Sequence, residues 1–167
     1  MLLSFIALAQ QCAPTVAPST LRAVLAAESG GMPHAIGRTI RHRSGQSFRL
    51  GRQPSGTAEA IGWATWLLAN GYAFDAGVGQ VNSSNWPRLG LNASNVFDAC
   101  TNIRAAAYIL TESYNRAIRR YGPGQQALRA AVSAYNTGSF SAGYRNGYVN
   151  HVAAAAAFPP VIPIIGP

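Results

Sequence analysis

The stretch from Asp98 to Gly122 sets the strongest limit on what this chain can fold into. Asp98 stands as an N-cap, Ile103, Ala107, Leu110, Tyr114 and Ile118 mark one apolar side at helical spacing, and Gly122-Pro123-Gly124 stops the run just after Tyr121. A long amphipathic helix must lay that side on other elements, and the patterns around it are mostly helical as well. Glu112 and Arg116 are placed for a favourable surface pair one turn apart. After the Gly-Pro-Gly break, residues 125–135 align Leu128, Ala131, Val132 and Tyr135 before Asn136-Thr137-Gly138. Tyr148 to Phe158 is alanine-rich and reads as helix, while "PPVIPIIGP" (159–167) cannot continue one and leaves a domain spanning residues 1–158.

The first half follows the same pattern. In "MLLSFIALAQQC", Leu2, Phe5, Ile6 and Ala9 fit the stripe of a first packed helix; a cleavable signal with Ala7-Leu8-Ala9 at its end is the alternative, and the run is too short to span a bilayer. A second helix opens at Ser19 or Thr20 as N-cap and stops at Gly30-Gly31, with Leu21, Val24, Leu25 and Glu28 on one face. Residues 37–56 carry Arg38, Arg41, Arg43, Arg49 and Arg52 between turn formers, which predicts a small hairpin or an ordered loop. Thr57 reads as the N-cap of a further helix, with Glu59 in its first turn and Ile61, Trp63, Ala64, Leu67 and Leu68 as its apolar side up to Asn70-Gly71. Residues 72–97 hold no long periodic run and combine glycines with amides. Five or six helices, no parallel-strand alternation and no internal repeat make the fold class mainly α.

Charge and cysteine usage bound the chemistry. Thirteen basic residues, all Arg, face five acids, a net charge of +8 that attracts polyanions: nucleic acid, anionic lipid or a carboxylate-rich cell wall. Cys12 and Cys100 are too few for a zinc site, and His34, His42 and His151 lack paired spacing, so no metal is expected. Paired, the two thiols would close a loop worth roughly 4 to 5 kcal/mol in the chain-entropy model and imply an oxidising compartment. Two separate buried thiols fit the count equally well.

Four of the five acids have a structural or exposed setting, which leaves Glu28 on an apolar face. A desolvated carboxyl there holds its proton near neutral pH and can give it to a leaving group; a Glu that turns to water at the helix end is the plain alternative. "DAGVGQVNSSNW" (75–86) adds amides and glycines that admit a ligand to the backbone, and "AVSAYNTG" (131–138) puts Tyr135 on an inward helix face with Asn136 beside it. Amides, a phenol and flat aromatics suit a sugar carrying N-acetyl groups. One by one, these residues also serve as turn formers and core.

Together "AAESGGMPHAIG", "GVGQVNSSNWPRLGL" and "ALRAAVSAYNTGSF", in this order and spacing, resemble the three motifs of soluble lytic transglycosylases, most closely the peptidoglycan-cleaving subunits of type IV secretion and conjugation systems. The similarity runs from about Ala7 to Asn150 and takes in Cys12, Cys100 and "FDACTNIRAAAYIL". The resemblance implies a lysozyme-like helical fold, a disulfide between Cys12 and Cys100, no cofactor, and a periplasmic or envelope setting. It implies that Glu28 is the catalytic acid, that Gln80 and Asn82 line the cleft, and that Tyr135 with Asn136 holds the sugar or orients Glu28. Ser29 supports the turn beside the sugar site, and Asp75 either polarises the site or caps a turn. Met32 stands where the family usually has Asn before Pro, and Gly79 where a bulkier residue is common.

Three other functions stay in view. A lysozyme-type hydrolase would use Glu28 with Asp75 or water, since ordinary glycoside hydrolysis takes two carboxylates. A wall-binding assembly module would keep the groove without turnover. An Arg-rich nucleic-acid binder is suggested by residues 38–52, but that segment lacks aromatic interleaving or a reading motif, so no nucleic acid is expected as partner.

Overall fold

A computed structural model describes residues 5–157, with nothing on the side chains of Phe5 and Ile6. Leu2, Phe158 and the expected tail 159–167 lie outside the described residues. The helices are α1 (Phe5–Cys12), α2 (Pro18–Ser29), α3 (Thr57–Ala69), a short α4 (Trp86–Leu89), α5 (Ala99–Tyr121), α6 (Gln125–Thr137), a short α7 (Ala142–Arg145) and α8 (Tyr148–Ala157). Two small antiparallel sheets complete the fold: β2 (Ser47–Arg49), β1 (Thr39–His42) and β3 (Tyr72–Ala73) in that order, and β4 (Asp75–Ala76) paired with β5 (Val81–Asn82). The architecture is mainly α with a small hairpin, as expected.

The long helix is the spine. Asp98 accepts the amide of Thr101 at 2.8 Å and caps α5, which ends at Gly122. Its flanks pack on α6 and α1, and α2 lies against α8 and α1. Leu21, Leu25, Ile36, Ile40, Phe74, Val78, Val81 and Ile103 form the fully buried centre. Each such side chain contributes roughly 1.5–3 kcal/mol by leaving water. A second cluster joins Ala23 and Val24 of α2 to Leu110, Val132, Val149 and Val152. The two faces of α2 are therefore both clamped, and its C-terminal end is fixed.

Four local expectations are corrected. The N-cap of α2 is Ala17, with Pro18 in the first helical turn, where a missing N–H costs nothing, so Ser19 and Thr20 are already helical. Gly56 takes the cap position assigned to Thr57, which opens α3 without a side-chain cap bond, and Leu68 points outward, 40% exposed. Glu112 pairs with Arg88 at 2.7 Å and not with Arg116, because α4 brings Arg88 over the face of α5. Glu59 has the structural setting expected: it binds Arg52, at 3.0 Å through Nη1, and accepts the Ser55 amide at 2.7 Å, which holds its carboxyl down at about 2.

Cys12 at the end of α1 and Cys100 at the start of α5 are bonded, across a separation of 88 residues. A thiol count under denaturing, non-reducing conditions is expected to return none; two free thiols would contradict the bridge.

Candidate active site

Glu28 sits in the last turn of α2, which Gly30 closes at φ 65° with its amide on the Ala26 carbonyl. The carboxyl is thus near the partially negative end of a helix and largely shielded from water, two conditions that oppose its ionisation. Burial is the largest cause and pushes it up to about 7; the nearby Asp75 adds to the rise, and a hydrogen bond from Tyr148 opposes it. The Tyr148 hydroxyl donates to Glu28 Oε1. That phenol, itself shifted far up by burial and by Glu28, stays neutral and acts as a donor.

An open cleft of about 280 Å³ adjoins Glu28, lined by Arg41, Asp75, Gln80, Asn82, Tyr135 and Asn136 among others. Six of the sequence candidates therefore meet at one place. Ser29 stands behind them: its hydroxyl donates to the Val78 carbonyl at 2.8 Å and accepts the Gly31 amide at 3.2 Å, tying α2 to the loop that carries Gln80.

That loop is built from its backbone outward. Gly77 adopts φ 78°, and a Cβ there would lie 2.2 Å from Asn102 Nδ2. At Gly79 a Cβ would fall 2.6 Å from that of Ala106, so the bulkier residue common in the family has no room. Both glycines make space for Asn102, fully buried on α5. Its amide donates to the carbonyls of Ala76 (3.0 Å) and Val96 (2.9 Å) and accepts the Gly79 amide at 2.7 Å. On the other side the Gly79 carbonyl accepts the Tyr135 hydroxyl at 2.6 Å. Clamped between these, the chain presents Gln80 at φ 50°, a left-handed conformation that costs a non-glycine residue on the order of 1 kcal/mol and is typical of functional sites.

The hydrogen bonds revise individual roles. Gln80 Nε2 donates to the carbonyls of Ala35 (3.2 Å) and Gly77 (2.9 Å), so its remaining polar group is an acceptor oxygen. Asn82 donates to Asp75 Oδ1 at 2.8 Å and accepts from Ser84, which spends most of its amide on the sheet between β4 and β5. Burial raises the Asp75 carboxyl, while Asn82 and Arg41 oppose the rise. The group that orients Glu28 is Tyr148. Tyr135 donates its hydroxyl to Gly79, Asn136 accepts from Asn146 at 3.0 Å, and neither bonds to the acid.

Tyr148 and Arg41 are the residues that sequence reasoning missed. Tyr148 belongs to no motif and lies 120 residues from Glu28, but it stands one turn before Val152 on the stripe that docks α8 on α2. Arg41 follows buried Ile40 in β1, so strand alternation turns it to the outer face over the cleft. Because the phenol stabilises the ionised acid, Tyr148→Phe is expected to raise the Glu28 titration midpoint further. Carbon-detected NMR titration of the Glu28 carboxyl checks this, and a downward move would contradict it.

Residues 5–158 match the Transglycosylase SLT domain family. The type IV secretion system protein virB1 of Brucella suis is 43% identical over 159 residues, covering 91% of this chain and 63% of that protein. Protein virB1 of Agrobacterium fabrum is 36% identical over 148 residues, 89% of this chain and 57% of the relative, and that of Rhizobium radiobacter 38% over 148 residues, 89% and 59%. The chain spans about three-fifths of the length of the curated relatives it matches. No solved structure matches it.

Proposed function

The chain belongs to the transglycosylase SLT domain family, and on that premise we propose that it is a peptidoglycan lytic transglycosylase with Glu28 as its acid and base. The observation that carries this reading is a single carboxyl raised to about 7 by burial, on the wall of a polar cleft, with a neutral phenol fixing its direction. Near neutral pH a substantial share of such a group is protonated and able to donate.

Glu28 gives its proton to the oxygen that links N-acetylmuramic acid to N-acetylglucosamine, and the bond from that oxygen to the muramic C1 breaks. The substrate's own acetamido oxygen stabilises the cationic C1. Now a carboxylate, Glu28 takes the proton of the muramic C6 hydroxyl, whose oxygen closes on C1 as a 1,6-anhydro ring. One proton leaves Glu28 and one returns, and no water is consumed. Tyr148 steadies the carboxylate formed in the middle of this cycle, which is the state its hydrogen bond favours.

Around the acid, the Gln80 oxygen is free to accept from a sugar N–H or O–H, and the Tyr135 ring and the Asn136 amide bound the same cleft. Asp75, bonded to Asn82, acts on Glu28 through its charge, which keeps the acid's midpoint up. A hydrolase would instead route a water through Asp75, and a binding module would release no product. Mass spectrometry of a peptidoglycan digest separates the three: anhydro-ended fragments one water lighter than hydrolytic ones are expected, and reducing ends alone, or no fragments, would overturn the proposal.

The similarity to a type IV secretion system protein of Brucella suis supports a place for this activity: local opening of the wall for a secretion or conjugation apparatus, in the periplasm. Among the described residues no helix is long and apolar enough to cross a membrane. The bonded cysteines suit an oxidising compartment.

A further inference from the structure

The cleft beside Glu28 does not close at Asn85, Ile109 and Tyr135. Those three residues are shared with a second open recess of about 600 Å³ that continues along the face of α5. Its charged lining is Arg88, Glu112, Arg116 and Arg119. Arg88 and Glu112 satisfy one another at 2.7 Å, so the net charge of the recess comes from the other two.

Arg116 and Arg119 are one turn apart on the exposed side of α5, where like charges repel. Arg116 is held in place: its guanidinium lies 5.7 Å over the Phe140 ring and donates to Ser113 Oγ at 3.3 Å. Among the described residues neither has a carboxylate partner, the ion pairs being Arg52–Glu59 and Arg88–Glu112. A concave site with two unneutralised guanidinium groups, joined to a catalytic cleft, fits an anionic part of the same substrate, and guanidinium forks match carboxylates best.

We propose that this recess is a subsite for the carboxylate-bearing stem peptide of the wall polymer, with Arg116 and Arg119 as its recognition pair. The proposal rests on the substrate class argued above. The glycan itself carries no charge beyond the lactyl carboxyl of its muramic units, and the peptides attached there supply the free carboxylates that two arginines would select.

The test is a binding measurement on the Glu28→Gln protein, which removes turnover. Its probes are a muropeptide disaccharide bearing a tetrapeptide and the same disaccharide freed of peptide, which keeps only the lactyl carboxyl. The peptide-bearing probe is expected to bind about tenfold tighter, and the additional pair Arg116→Gln and Arg119→Gln to bring the ratio near one. Raising the salt concentration is expected to erode the same preference without any substitution. A preference that survives the double substitution, equal loss of both probes, or no preference at the outset would overturn the proposal. The failure of the catalytic reading appears elsewhere, as the absence of anhydro ends in a wild-type digest.

Discussion

Glu28→Gln is expected to lower the release of anhydro-ended fragments from peptidoglycan by roughly 100- to 10,000-fold, the span general acid and base catalysis contributes. The amide keeps the shape of the carboxyl but can neither give nor return a proton. The pH profile of the unchanged protein follows from the same group. Glu28 must be protonated to start the reaction, and burial holds its midpoint at about 7 against an ordinary 4.5, so kcat/KM is expected to fall as pH rises through about 7. Stability falls over the same rise in pH. A carboxyl whose folded midpoint is raised weakens the fold as pH climbs from its unfolded value through its folded one, so the variant is expected to be no less stable than the parent above pH 7. Thermal melts at two pH values with parallel turnover assays check both halves. Lost activity with an unfolded variant would remove Glu28 from the chemistry and leave it a structural group.

Asn102→Ala is expected to be the most destabilising single change near the cleft, at roughly 4 kcal/mol or more. Its side chain is fully buried and satisfies three backbone groups, the carbonyls of Ala76 and Val96 and the amide of Gly79. Each such group left unpaired in the interior costs about 1–3 kcal/mol. The loss also frees Gly79 on one side, so that the Tyr135 hydroxyl alone would hold Gly79 and the left-handed Gln80 would relax. Denaturant unfolding reads the first effect and KM the second. A variant within about 1 kcal/mol of the parent would show that water or a repacked loop replaces the amide.

The elements that rest on long periodicity were legible before any coordinates. Leu21, Val24, Leu25 and Glu28 share a face because spacing puts them there, and Asp98 caps α5 because short acidic side chains reach backbone amides. Elements decided by tertiary packing were not. The strands Tyr72–Ala73, Asp75–Ala76 and Val81–Asn82 are two residues each, too short for alternation to register. Glu112 obeyed a contact through space with Arg88 over the helical neighbour Arg116, since a folded chain offers partners that no local spacing encodes.

The site divides in the same manner. Its amides and acid stood in recognisable strings, and the cleft gathers them. The hydrogen bonds that assign work within the cleft join residues far apart: Tyr148 to Glu28, Tyr135 to Gly79, Asn102 to the turn below Gln80. Asn102 lay inside a quoted string without being distinguished from its neighbours, because nothing local marks an asparagine that the fold will bury.

The claim that one carboxyl both gives and regains the proton, with no water taking part, is tested most directly by digesting peptidoglycan in heavy-oxygen water and weighing the muramic ends. Anhydro ends free of the label are the predicted result, and label at the muramic C1 would contradict it, since only a water attacking that carbon can place it there.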